Sequence, residues 1–151
     1  MKYLPLFLIF ISTPIIEVFY SFEDFVERVE TEYKLPRGIL HAIAQVESRL
    51  NPRKIHKNDG PGHRTSYGLL QIQEPSARQV GFKGKPSELL TPEVNIYFGA
   101  LYLNWLIKET RGDIPRALNC YNAGRSSKIC REKTSSRYSD KVLNSYLGGS
   151  L

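Results

Sequence analysis

Glu47 is the residue in this chain best placed to do chemistry. On a helical wheel at about 100° per residue, Val46, Ile39, Leu50, Ile43 and Leu40 fall within an arc of roughly 120°. Arg37, His41, Gln45, Ser48 and Arg49 fall on the other side. Glu47 lands between Ile43 and Leu40, inside the apolar arc. A carboxylate there costs free energy unless it is paired or protonated, and desolvation raises its pKa. A carboxyl group that keeps its proton near neutral pH can act as a general acid. Two structural readings compete: a Glu paired with a core-facing Arg, or a Glu at the rim whose stem reaches out to water.

Other chemistries find little support. His41, His56 and His63 show no H-x-x-x-H spacing, so no metal or other cofactor is expected. There is no Gly-rich phosphate loop and no G-x-S-x-G nucleophile motif. A second catalytic carboxylate is not evident. Asp59 lies in a polar stretch and Glu74 precedes Pro75, and both read as surface charges.

The elements that must position Glu47 are mostly helical. Phe22, Phe25, Val26, Val29 and Tyr33 recur at helical spacing and predict a first helix. A second runs from about Pro36 to Leu50, with Pro in the first turn, and Asn51-Pro52 ends it. Arg53 to Tyr67 is polar and Gly-rich and reads as a long loop. Gly68 to Ile72 (GLLQI) is a short apolar run, strand or buried turn. Pro75 to Val80 fits one or two helical turns. Thr91-Pro92-Glu93 marks a helix start, with Thr as N-cap. That helix carries Val94, Tyr97, Phe98, Leu101 and Trp105, and Tyr97 and Trp105 read as core aromatics. Asp113 caps a further helix ending at Gly124, and a last helix covers about Arg137 to Leu147. The fold class is mainly α, one domain with a small β-hairpin or extended segment.

Composition bounds the rest. The chain has 151 residues, 41% hydrophobic and 24% charged, enough for one ordinary core and unlike a disordered chain. Two cysteines exclude a disulfide-dense miniprotein and a Cys-only zinc site. The net charge of +6 suits an anionic partner: nucleic acid, an anionic membrane or the bacterial wall. No basic run is interleaved with aromatics, so nucleic acid is not the expected partner.

Residues 1–21 stand apart. Lys2 followed by the apolar run Tyr3 to Ile16 matches the n- and h-regions of an export signal. Pro5 and Pro14 interrupt the run, and no Ala-x-Ala site follows, so an uncleaved anchor or a core helix is the alternative. The run is shorter than the ~20 residues of a membrane span. The leader holds one Lys and one Glu, so the basic charge belongs to residues 22–151. Export to the periplasm or beyond would permit a disulfide between Cys120 and Cys130; two semi-buried thiols are the other reading.

The order of short motifs adds a further signal. Glu47-Ser48 closes a helix, Asn51-Pro52 follows, then GLLQI at 68–72, Asn95 in TPEVNI, and Tyr121-Asn122-Ala123-Gly124. Together they resemble the catalytic domain of lytic transglycosylases, over roughly Phe22 to Val142. Leu70 stands where the family often has Met, and Cys120 where AYNAG has Ala. The resemblance implies a goose-lysozyme-like, α+β fold with a substrate groove across it. It implies cleavage of the β-1,4 bond between N-acetylmuramic acid and N-acetylglucosamine in peptidoglycan, leaving 1,6-anhydro ends. Glu47 takes the position of the single acid/base, and Tyr121 that of a tyrosine near it. Asn122, Gln71, Ser48, Ser66 and Tyr138 are the implied substrate-site residues. The C6 hydroxyl of the sugar replaces the second carboxylate that ordinary glycosidases need. A short, exported, monomeric form fits work beside a secretion, pilus or phage assembly. A lysozyme-like hydrolase and a non-catalytic glycan-binding module are the alternatives.

Overall fold

The protein, seen in a computed structural model, is described over residues 21–57, 64–131 and 137–148. The leader up to residue 20, Asp59 and His63 lie outside the described residues. The helices are α1 (Phe22–Glu32), α2 (Ile39–Ser48), α3 (Glu74–Gln79), α4 (Pro92–Glu109), α5 (Ile114–Ala123), α6 (Lys128–Arg131) and α7 (Arg137–Gly148). A 3₁₀ segment spans Pro86–Leu90. Three short strands, β1 (Ile55–Lys57), β2 (Thr65–Tyr67) and β3 (Ile72–Gln73), form one antiparallel sheet in chain order. Among the described residues no helix is long and apolar enough to cross a membrane.

Local chemistry sets the helix ends. Ser21 and Asp24 form a capping box at the start of α1, each side chain accepting from the other's backbone N–H at 3.1 and 2.9 Å. Ser21, placed by the sequence reading at the end of the leader, thus serves as the cap of α1. The second helix begins three residues later than expected. Gly38 adopts a left-handed φ of 87°, which leaves Pro36 and Arg37 in a turn. Gly38 offers no side chain, and the buried Glu30 of α1 caps α2 instead. Its carboxylate accepts from Gly38 N at 2.6 Å and Leu40 N at 2.9 Å. At the other end Arg49 and Leu50 have φ of 57° and 61°, so Leu50 leaves the apolar arc and is 42% exposed.

α4 runs through the centre. Its buried side chains include Asn95, Ile96, Ala100, Tyr102, Leu103 and Leu106. The stripe read from the sequence lies at the border of that face: Tyr97 is exposed against Tyr33, and Trp105 is half-buried. Thr91 occupies the N-cap position, but its side chain makes no capping bond. Asp113 does cap α5, accepting from Arg116 N at 3.0 Å. Cys120 and Cys130 are joined by a disulfide between α5 and α6. The stretch read as a loop from Arg53 to Tyr67 contains β1 and β2, paired Ile55 to Tyr67 and Lys57 to Thr65.

Candidate active site

A cleft of about 1160 Å³ crosses the molecule, lined by α2, the sheet, α3, α4, the end of α5 and α7. It exceeds the ~300–1,000 Å³ common for small-ligand pockets and has room for a stretch of polymer. Glu47 reaches it from the last turn of α2. The carboxyl group is held above its ordinary pKa, chiefly by desolvation. Tyr138, Lys54 and His56 act in the opposite sense and favour the charged form. The position beside a helix C-terminus also disfavours the anion. Lys54 donates to the Glu47 main-chain carbonyl at 2.5 Å, satisfying one of the open carbonyls at the end of α2.

Among the described residues lining the cleft, Glu47 is the only carboxylate. Lys54, Arg64, Arg125, Arg137 and Lys141 line it as well, so the acid sits in a cationic groove. Glu74 pairs with Arg78 at 2.7 Å and does not line the cleft. No three His, Cys, Asp or Glu side chains gather as a metal site requires among the described residues.

Two tyrosines flank Glu47. Tyr121 is buried, and its hydroxyl donates to Leu70 O at 3.0 Å. Its pKa is raised by burial and by the Glu47 charge. The Tyr138 hydroxyl is buried beside Glu47 and is raised for the same two reasons. It meets no hydrogen-bond partner in good geometry among the described residues. As a close polar neighbour it favours the charged form of Glu47.

The remaining predicted residues divide. Asn122 and Ser66 line the cleft, Asn122 exposed and Ser66 largely buried under Gln73, whose Nε2 lies 3.5 Å from its Oγ. Gln71 lines it too, with a left-handed φ of 47°. Its amide nitrogen is committed to Lys54 O and Gly68 O at 3.0 and 2.9 Å, which leaves its oxygen for other partners. Ser48 is not among the lining residues; it is buried and donates to Ala44 O at 3.0 Å. Trp105, a core aromatic by its spacing, instead lines the cleft, stacked on Tyr102 at 5.8 Å with the Arg125 guanidinium over its ring at 5.1 Å. Helical spacing cannot separate a core face from a groove wall. The sequence reading also missed Lys54, His56 and Arg64, because strands of three residues leave no alternating pattern to read.

Burial of Glu47 has a thermodynamic consequence. The folded state keeps its proton to a higher pH than the unfolded chain does. Stability from the neutral buried acid is present below the unfolded pKa and is lost as pH rises through the folded pKa. Glu47→Gln stays neutral, so it is expected to gain stability relative to the parent as pH rises across that window. Thermal denaturation of both proteins at a series of pH values checks this. A difference that does not change with pH would contradict a burial-driven shift.

The family model of the transglycosylase SLT domain matches residues 24–144. Protein IpgF of Shigella flexneri is 28% identical over 124 residues, 80% of this chain and 78% of that protein. Invasion protein IagB of Salmonella typhimurium is 31% identical over 122 residues, 79% of this chain and 72% of that protein. The 70 kDa soluble lytic transglycosylase SLT70 of Escherichia coli superimposes with a TM-score of 0.55 at 26% identity. That match covers 85% of this chain and 19% of the larger enzyme. The chain belongs to the transglycosylase SLT domain family and is a lytic transglycosylase domain of lysozyme-like fold.

Proposed function

We propose that this domain cleaves the β-1,4 bond between N-acetylmuramic acid and N-acetylglucosamine in peptidoglycan, with Glu47 as its single acid/base. The observation that carries the reading is a desolvated carboxyl group that is the only one among the described residues lining the cleft, whose other described lining is neutral or cationic. Glu47 gives its proton to the glycosidic oxygen as the C1–O bond breaks. The resulting carboxylate takes the proton of the muramic acid C6 hydroxyl, whose oxygen attacks C1. The acid is regenerated, a 1,6-anhydro ring forms, and no water is consumed. Separate general acids and bases in glycosidases stand about 5–9.5 Å apart, and this chemistry needs only one of them.

Neighbouring groups fit this cycle. Lys54 stabilises the anionic form, and Tyr121 and Tyr138 present hydroxyls around the carboxyl group. Trp105 offers aromatic surface for a sugar, backed by the buried Tyr102. The positive lining suits a polymer bearing carboxylates. The disulfide and the basic charge are consistent with work in the periplasm or outside the cell, as is a leader at residues 1–21 read as an export signal. Work beside a secretion, pilus or phage assembly is the role we infer for a short exported domain of this kind, and similarity to a protein named for invasion favours the first of these.

The rate of sacculus solubilisation by purified residues 21–151 tests the acid assignment. The active form holds the Glu47 proton, so kcat/KM is expected to fall as pH rises through its raised pKa. A rate that stays level from acid to alkaline pH would count against a carboxyl acid at the centre.

A further inference from the structure

The disulfide lies at the midpoint of the catalytic wall. Cys120 is fully buried on α5, immediately before Tyr121. The loop it closes with Cys130 holds Asn122, Ala123, Gly124, Arg125 and Ser126, all lining the cleft. Farther along the chain, Arg137 and Tyr138 line the same cleft from α7. One covalent bond therefore ties down residues 121–129, which follow Cys120 along the cleft wall.

The other ties of that segment that the structure shows are short-range or exposed, apart from one bond from Arg116. α6 has four residues, too few for a helix to persist by itself. Its Ile129 is 45% exposed and provides no buried anchor, whereas Cys130 is buried in the core. The polar ties include Arg116 Nε to Cys130 O at 3.0 Å, Cys130 N to Ser127 Oγ at 3.1 Å, Ser127 N to Gly124 O at 3.1 Å, Gly124 N to Cys120 O at 2.9 Å and an Arg125–Glu109 ion pair at 2.8 Å, with the Arg125 guanidinium also over the Trp105 ring. Three of these bonds lie within residues 120–130 and cannot fix the segment to the rest of the domain, and the Arg125–Glu109 pair is exposed, where an ion pair contributes little.

We propose that the Cys120–Cys130 disulfide is a positioning element of the glycan-binding wall, so that full affinity for glycan strands exists only in the oxidised protein. The proposal rests on reading the cleft as the glycan site. Tyr121 is retained by its own bond to Leu70 O, so the chemical step depends less on the disulfide than binding does. Without the bond, glycan must order the 122–126 wall as it binds, and that ordering weakens affinity. A wall-cutting enzyme built this way is weakly competent where thiols are kept reduced and gains affinity after export.

The test combines Cys120→Ala/Cys130→Ala with co-sedimentation on purified sacculi. Paired with Glu47→Gln, so that nothing is cleaved, the disulfide-free protein is expected to bind about tenfold more weakly than Glu47→Gln alone. In the otherwise unchanged protein, apparent KM is expected to rise by a similar factor with kcat altered by less than about twofold. Equal binding and equal KM, at a temperature where circular dichroism shows both proteins folded, would overturn the proposal. If the variant fails to fold, the parent is reduced with a dithiol and read in the same assays. The S–S bond then takes two electrons and two protons, giving two thiols, and the dithiol becomes a cyclic disulfide. Loss of the fold on reduction as well would make the bond a stability element only and overturn the positioning role. Failure of Glu47→Gln itself to bind sacculi would count against the glycan cleft, a result distinct from equal binding with and without the bond.

Discussion

Glu47→Gln is expected to slow sacculus solubilisation by on the order of 10³-fold or more while the fold is retained. The amide matches the carboxyl group in size and can accept a hydrogen bond, but it cannot give up a proton to a leaving oxygen. The loss should be large because no second acid among the described residues lines the cleft to substitute for it. Stability should hold or rise at neutral pH, since burying an amide removes the cost of desolvating a charge. Circular dichroism and the thermal midpoint separate loss of chemistry from loss of fold. Activity within tenfold of the parent would show that the proton comes from elsewhere.

Asn95→Ala is expected to cost about 4 kcal/mol of stability. Asn95 is fully buried on α4, and its amide is fully used. Its Oδ1 accepts from Leu70 N at 2.7 Å, and its Nδ2 donates to Tyr67 O and Leu89 O at 2.8 and 2.7 Å. Truncation leaves one buried N–H and two carbonyls unpaired, each at a cost of about 1–3 kcal/mol, partly relieved by water entering the space. The same amide fixes the 67–70 turn whose Leu70 O receives the Tyr121 hydroxyl. Packing around it is tight: Gly68, at φ 70°, approaches so closely that an added Cβ would meet the Asn95 side chain and come within 2.8 Å of Leu89 O. Urea denaturation measures the loss, and a cost below about 1 kcal/mol would mean that these groups find other partners.

Much of the helical frame was legible because its signals are local. The capped start at Asp113, the Pro in the first turn of α4 and the stop at Gly124 each act within a few residues, whereas the Ser21 cap of α1 is masked by its place at the end of the leader. α2 was misread at its start because Gly38 and Glu30 decide it together, and Glu30 is eight residues away on another helix. A small hairpin is expected from the sequence, but the positions of β1 and β2 are not, because β1 is three exposed residues with no buried face to impose alternation. Glu47 was visible as a carboxyl group out of place in an apolar arc. Tyr121 and Tyr138 carried no such signature, and only the resemblance to lytic transglycosylases singled them out. Lys54 and Trp105 needed the fold, because what makes them part of the site is the groove that α2, α4 and the sheet enclose.

The account stands on one carboxyl group working with a nucleophile supplied by the sugar. Mass spectrometry of the soluble fragments from sacculi digested in H₂¹⁸O addresses that directly. The prediction is muropeptides one water lighter than hydrolysis products, with 1,6-anhydro ends and no ¹⁸O. Fragments with reducing ends that carry ¹⁸O would contradict it, since water would then be the nucleophile and a second activating group would have to lie in the cleft.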